Sequence, residues 1–262
     1  MLLFWSNKSC IPKTNMFTLG ILTGCAFLLW LLSLRLHDAS IADLMWGMFF
    51  VVQALTNHLL EPTTRSFWML ILTGIWGLRL SVYLSVRNHG QLEDRRYRAM
   101  RAQHGEHFWW RSLFTVFILQ MLLAWFIGMP QQLSTGDVEW SWIDALALFC
   151  WIVGLFFEVV GDWQLNQYLK QDNPSGVLNT GLWRYTRHPN YFGDALLWWG
   201  FGLFGFSATN APWILLSPMV MTLLLLKVSG VSLLEKNIKE RRPKYTEYID
   251  KTSAFIPWFH KQ

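Results

Sequence analysis

Apolar residues run in seven stretches of membrane-spanning length, at about 16–34, 40–60, 66–86, 112–130, 142–161, 191–207 and 212–234, with short polar segments between them. A bilayer core needs about 20 mostly apolar residues per helix. Runs this long, without strict two-residue alternation, predict helices rather than strands. The pattern predicts an all-α, integral multi-pass membrane helical bundle of about seven transmembrane helices. It reads as a single membrane domain, 1–262. The sixth stretch is the weakest, being short and glycine-rich. Leu22-Thr23-Gly24-Cys25 has the form of a lipoprotein cleavage site, but the apolar run continues through Leu34, so it reads as a first transmembrane helix.

Composition agrees. Hydrophobic residues make up 53% of the chain and charged residues 15%, with 17 Trp and 19 Phe. Soluble globular chains average about 25% charged residues. These values argue against a soluble enzyme and against disorder. The net charge of +5 could suit nucleic acid, but the basic residues sit in loops beside apolar spans. With seven spans, 17 basic residues fall on one face and three on the other, with Arg79 and Lys227 inside spans. By the positive-inside rule the basic face, with the C-terminus, is cytoplasmic, and the N-terminus lies on the opposite side. Segments 87–111, 162–190 and 235–262 then share the cytoplasmic face, and 235–262 reads as a short surface helix ending near Pro257.

Ionisable groups inside spans are costly unless paired, so they are candidates for function. Asp43 and Arg79 could form an ion pair between the second and third spans. Tyr83 and Arg87 follow Arg79 at four-residue steps, on nearly the same helix face. Glu158, Asp162, Asn166 and Lys170 form a second such row, suited to an amide, a ribose or a phosphate, or else to a solvated helix end. Asp144, near the outer end of its span, reads as interface.

The densest polar segment is Gly181-Leu-Trp-Arg-Tyr-Thr-Arg-His-Pro-Asn-Tyr-Phe-Gly-Asp194. Pro189 pre-sets a helix start. A helix start favours anions, and Arg184, Arg187 and His188 just ahead of it suit phosphate recognition. Asn190 and Asp194 then lie one turn apart, with Tyr191 beside them. Two matches carry less. Gly200-Phe-Gly202-Leu-Phe-Gly205 fits the dinucleotide pattern but follows no strand, so its glycines read as close helix packing. His104 and His107 could form a metal pair, yet the other His residues are scattered, and no metal is expected. The cysteines at 10, 25 and 150 have no CxxC or metal-ligand spacing.

The segment "GLWRYTRHPNYFGD" resembles the signature of the steroid 5-alpha-reductase C-terminal superfamily, in a bacterial and eukaryotic branch of it. "DLMWG" at 43–47, "WGLRLSVYLSVRNHG" at 76–90, "EDRRY" at 93–97, "DWQL" at 162–165, "SGVSLLE" at 229–235 and "YTEYIDKTSAFIPW" at 245–258 extend the resemblance from about residue 38. Steroid 5-alpha reductases and sterol carbon-14 reductases are multi-pass enzymes that reduce carbon–carbon double bonds with NADPH. The resemblance implies a cytosol-facing NADPH pocket in the C-terminal half, about 142–262. It implies cofactor contacts for Asp162, Asn190 and Tyr248, and a place near the nicotinamide for Asp194. One departure stands out: where the steroid reductases carry a catalytic tyrosine three residues before an arginine resembling Arg79, this chain has Trp76.

The leading expectation is an NADPH-dependent oxidoreductase acting on a C=C bond of a lipidic substrate taken from the bilayer. Lys170, Arg184, Arg187 and His188 would face phosphates. Asp162, Asn166 and Asn190 would face ribose or amide groups, and Tyr83 or Tyr191, with Asp194, the reacting carbon. The alternative is an S-adenosylmethionine-dependent membrane methyltransferase of the isoprenylcysteine type. Those enzymes share an R-H-P-x-Y-x-G segment, matched by Arg187 to Gly193. Their paired-glutamate motif is half present, since Lys236 follows Glu235. A non-enzymatic lipid-binding or assembly protein on the same fold is the third reading.

Overall fold

The computed structural model describes residues 13–136, 138–171, 176–228 and 244–259, and every regular element among them is helical. Residues 8, 10 and 229–243, which include Glu235, Lys236 and the end of the seventh apolar stretch, lie outside the described residues. Four helices are long and apolar enough to cross a membrane: Thr14–Leu36, Thr64–Asn88, Arg95–Ile127 and Trp142–Leu169. Of the other three expected spans, the second and sixth differ and the seventh is described only in part. The second is split at Met45 into α2 (Ile41–Leu44) and α3 (Trp46–Leu60). The 15 residues of α3 reach about 22 Å, short of a hydrocarbon core of about 30 Å. The sixth lies in a 21-residue helix diluted by glycines and by Asn190 and Asp194. The described part of the seventh is a shorter apolar helix, Pro212–Lys227.

The chain divides into two compact units, Met1–Val138 and Glu139–Gln262. The first contains α1 (Lys13–Leu36), α2, α3, α4 (Thr64–Asn88) and α5 (Arg95–His104). It continues through α6 (Phe108–Ser112), a π-helical turn (Leu113–Ile118), α7 (Leu119–Ile127) and the short α8 (Met129–Leu133). α1 ends where His37 adopts φ 53° and the Asp38 N–H returns to the Ser33 carbonyl at 3.1 Å. That is a left-handed cap closing the helix. α3 and α4 meet through glycines: a Cβ built on Gly47 would lie 2.7 Å from the Gly77 carbonyl oxygen. Beside that contact the fully buried Trp76 packs edge-on against Phe50, with centroids 5.6 Å apart. The residue that departs from the steroid-reductase pattern is thus a core residue of this unit.

Asp43 does not pair as its position in the sequence suggests. Its Oδ2 accepts from Arg96 Nη2 at 2.6 Å, and its Oδ1 accepts from the Tyr97 hydroxyl at 2.6 Å and Gln120 Nε2 at 3.2 Å. Residues 95–104 form a helix that brings Arg96 and Tyr97 to the break at Met45, and Gln120 comes from α7. Arg79 lies 5.9 Å from the Tyr83 ring centroid and Arg87 5.5 Å from it, so the Arg79–Tyr83–Arg87 row is realised as stacked cations and an aromatic. His104 Nδ1 faces Arg111 Nη1 at 2.9 Å rather than His107.

A second ion pair ties the turn after α1 to the entry of α5. Glu93 accepts from Arg101 Nη2 at 2.8 Å and from the Ala39 N–H at 2.8 Å. Burial alone would raise the Glu93 carboxyl; the Arg101 bonds and the Ala39 N–H outweigh it and hold the group below its ordinary value. A depressed carboxyl stabilises the fold above its unfolded pKa, about 4.3, and loses that contribution as pH falls through the folded value. Glu93→Gln is therefore expected to lower the melting temperature at pH 7, and the gap to wild type is expected to narrow as the pH is taken below 4. Melts of both proteins in detergent at the two pH values check this; a gap independent of pH would contradict it.

The second unit is built on α9 (Trp142–Leu169) and α10 (Pro189–Thr209). α11 (Leu216–Leu223) and α12 (Lys244–Lys251) complete it. α9 and α10 run antiparallel with their backbones nearly touching. A Cβ on Gly193 would lie 2.5 Å from the Gly154 oxygen and 2.5 Å from the Glu158 nitrogen, and one on Gly200 would lie 2.7 Å from the Ala147 oxygen. Gly202 approaches Pro218 of α11 in the same way, at 2.7 Å. Gly200 and Gly202 of the apparent dinucleotide pattern serve helix packing, as expected. At the other end, buried Asp144 accepts from the Ser141 N–H at 2.8 Å, capping α9, and from Ser207 Oγ of α10 at 2.8 Å. It is a lock between two helices rather than plain interface. Leu78, Val82 and Val86 of α4 and Phe149, Ile152 and Phe156 of α9 are all more than half exposed. Apolar faces of this extent suit lipid contact.

Candidate functional site

The polar residues of the second unit gather where α9 ends and α10 begins. Gly161 makes this possible: its Cα faces the start of α10, where a Cβ would lie 3.0 Å from the Asn190 nitrogen. The close approach lets Asn190 Nδ2 donate to Asp162 Oδ1 at 3.0 Å across the two helices. Asp162 is buried and Asn190 half-buried, and Asn190 Oδ1 also accepts the Tyr191 N–H at 3.1 Å. Glu158, one turn before Asp162, is buried, and Asp194, one turn after Asn190, is half-buried. Because the helices are antiparallel, the two carboxylates flank the Asp162–Asn190 pair on the same side.

The residues ahead of Pro189 fold back over this end. A helical turn, Gly181–Arg184, lays Trp183 against α9, where its Nε1 donates to the Gly161 carbonyl at 3.1 Å. Gln164 Oε1 accepts the Leu182 N–H at 3.0 Å. Gly181 is favoured here by its φ of 59°, and it packs directly under the Gln164 amide. His188 is buried and stacks on Tyr191, with centroids 5.6 Å apart and planes 5° apart.

The C-terminal segment is fastened to the same loop. Arg187 Nη1 donates to the carbonyls of Ile249 at 3.0 Å and Thr252 at 2.5 Å. The Arg187 N–H donates to Ser253 O at 2.9 Å, and the Trp258 N–H to Tyr185 O at 2.9 Å. Thr186 Oγ1 donates to Phe255 O at 2.8 Å, and the Tyr248 hydroxyl donates to the Trp183 carbonyl. Arg187 was expected to face phosphate; in the structure it is buried, and Nη1 caps the carbonyl end of α12. Lys170 and Arg184 remain exposed at the rim, with Asn166 half-buried between Asp162 and Lys170.

The structure thus gathers Asp162, Asn190, Asp194, Arg187, His188, Tyr191 and Tyr248 at one end of the second unit. Tyr83 belongs to the first unit. Sequence reasoning missed Trp183, Gln164 and Thr186, which hold the loop in place. Their side chains bond to backbone groups distant in sequence, and only the fold brings these together. The glycines carried a readable signal: Gly154 and Gly161 on α9, and Gly193 and Gly200 on α10, each lie seven residues apart.

Fold and composition define an all-α membrane helical bundle with a polar site at one helix start. The chain belongs to the family described as protein of unknown function DUF1295, whose model matches residues 29–252. It is 28% identical to an uncharacterised protein of the fission yeast Schizosaccharomyces pombe, over 94% of this chain and 80% of that protein. No solved structure matches the chain.

Proposed function

We propose that the chain is an NADPH-dependent reductase of a C=C bond in a lipidic substrate, with its cofactor end on the basic, cytoplasmic face. The Asp162–Asn190 bond carries this reading. It places a carboxylate and an amide, both residues implied by the steroid-reductase resemblance, at the start of α10. The donor set around it fits a dinucleotide. Exposed Lys170 and Arg184 offer cations to phosphates, Asp162 and Asn190 offer acceptors and donors to hydroxyl or amide groups, and the His188–Tyr191 stack offers a flat surface. When bound, NADPH supplies the hydride. The chain's own part is to orient the cofactor, exclude water through the clasped C-terminal segment, and deliver a proton. Tyr191, next to Asn190, is the proposed proton donor, since position 76 holds a packed tryptophan. The substrate enters from the bilayer.

The methyltransferase reading rests on the Arg187–Gly193 segment and needs a different cofactor, so parallel titration separates the two. Detergent-purified protein is expected to bind NADPH saturably, and Asn190→Ala is expected to weaken that binding about tenfold or more, the usual cost of a lost polar contact near charge. Binding of S-adenosylmethionine in place of NADPH would overturn the reductase. Binding of neither would leave the non-enzymatic reading.

A further inference from the structure

The last turns of α9 carry a second polar surface, on the side of the helix away from the Glu158–Asp162–Asn166 row. An open cleft of about 450 Å³ lies there, walled on one side by Trp163, Gln167, Tyr168 and Gln171 and on the other by Asn179 and Thr180. This is within the volume range of small-molecule sites, about 300–1,000 Å³. Among the described residues, no charged side chain lines it. The cleft is fastened at both ends: the Tyr168 hydroxyl donates to the Gly176 carbonyl at 2.6 Å, and Gln164 holds the Leu182 N–H. Trp163 is 58% exposed, leaving an indole face open to a flat partner.

We propose that this cleft holds the adenine base of the cofactor, an inference that rests on the reading of the chain as binding an adenine-containing cofactor. The lining chemistry points to a purine rather than a charged group. A primary amide presents a donor and an acceptor side by side, the pattern that pairs with an adenine edge. Gln167 and Gln171 lie four residues apart, so their amides share this face. An exposed indole stacks a base without reading its sequence. The cleft is also placed for it. From Gln171 back to Asp162 is nine residues, about 13 Å of helix, and the loop leaving the cleft at Thr180 docks Trp183 on Gly161. Lys170 and Arg184 are the exposed cations along that path, where a nucleotide's phosphates would follow its base.

The test uses the full chain in phosphatidylcholine nanodiscs and calorimetric titration with NADPH, S-adenosylmethionine, 5′-AMP, reduced nicotinamide mononucleotide and maltose. The variants are Trp163→Ala with Gln167→Ala, and Trp163→Phe, all at exposed positions. The double variant is expected to weaken NADPH and 5′-AMP about tenfold or more and to leave nicotinamide mononucleotide within twofold. Trp163→Phe, which keeps a ring to stack on, is expected to lose much less. NADPH binding unchanged in the double variant would overturn the subsite and leave the reductase standing. S-adenosylmethionine bound in place of NADPH, and weakened by the double variant, would keep the subsite and overturn the reductase. Maltose bound and 5′-AMP refused would make the cleft a sugar site, against the proposal. No binding of any adenine compound by wild type would overturn both.

Discussion

Gly193→Ala is expected to unfold the second unit at a lower temperature than wild type, whereas Gly74→Ala is expected to leave stability unchanged or raise it. The chemical change is identical, one methyl group added inside a helix. On propensity alone, replacing glycine by alanine in a helix interior favours the helix by about 1 kcal/mol. At Gly74 nothing lies within 4 Å of the added atom, so that gain is retained. At Gly193 the atom would sit 2.5 Å from two backbone atoms of α9 and 2.9 Å from Phe157 Cβ. Backbone atoms in a helix cannot swing aside, so α9 and α10 must part. Overpacking of this kind costs about 1–3 kcal/mol, sometimes more. Here the loss spreads along the interface, because Gly154, Gly161 and Gly200 depend on the same separation. Parting the helices also stretches the 3.0 Å Asn190–Asp162 bond, so cofactor binding should fall with stability. Thermal melts of the two variants in one detergent, followed by size-exclusion recovery, decide it. Equal stability of both variants would mean that α9 and α10 do not pack this closely.

How far the sequence revealed this arrangement depended on how local each signal was. The apolar runs identified the helical class and four spanning helices, because a bilayer's thickness sets length and composition directly. They misjudged the second stretch, since hydropathy does not register a helix break at Met45 or the polar partners that gather there. Asp43 and Arg79 looked like a pair because both sit inside apolar runs. The actual partners, Arg96, Tyr97 and Gln120, come from segments whose positions only the fold sets. The same limit holds in the second unit. Pro189 and the four-residue steps of Asp162 and Asn190 were readable as helix geometry, and so were the packing glycines. The bonds that close the loop over α9, from Trp183, Gln164 and Thr186, join side chains to backbone carbonyls and amides far away along the chain. Such bonds leave no pattern in residue spacing.

Arg187 is where the local and distant readings diverge most, and its variants separate them. Removing its guanidinium deletes two charge-assisted bonds, to the Ile249 and Thr252 carbonyls, each of the kind worth about 1.5–3 kcal/mol. It also takes a cation from the carbonyl end of α12. Arg187→Ala is therefore expected to loosen residues 244–258, speeding their amide hydrogen exchange about a hundredfold, while α9 and α10 exchange as before. Arg187→Lys should fall between, since an ammonium keeps the charge but sits on a shorter stem than the Nη1 that bonds both carbonyls. Loss of NADPH affinity is expected to follow the loosening, because Tyr248 and its bond to the Trp183 carbonyl ride on the same segment. A different outcome would restore the first expectation. If exchange of 244–258 is unchanged in Arg187→Ala while NADPH binding collapses, the guanidinium acts on phosphate directly, and the clasp it forms in this structure is not its role in the loaded protein.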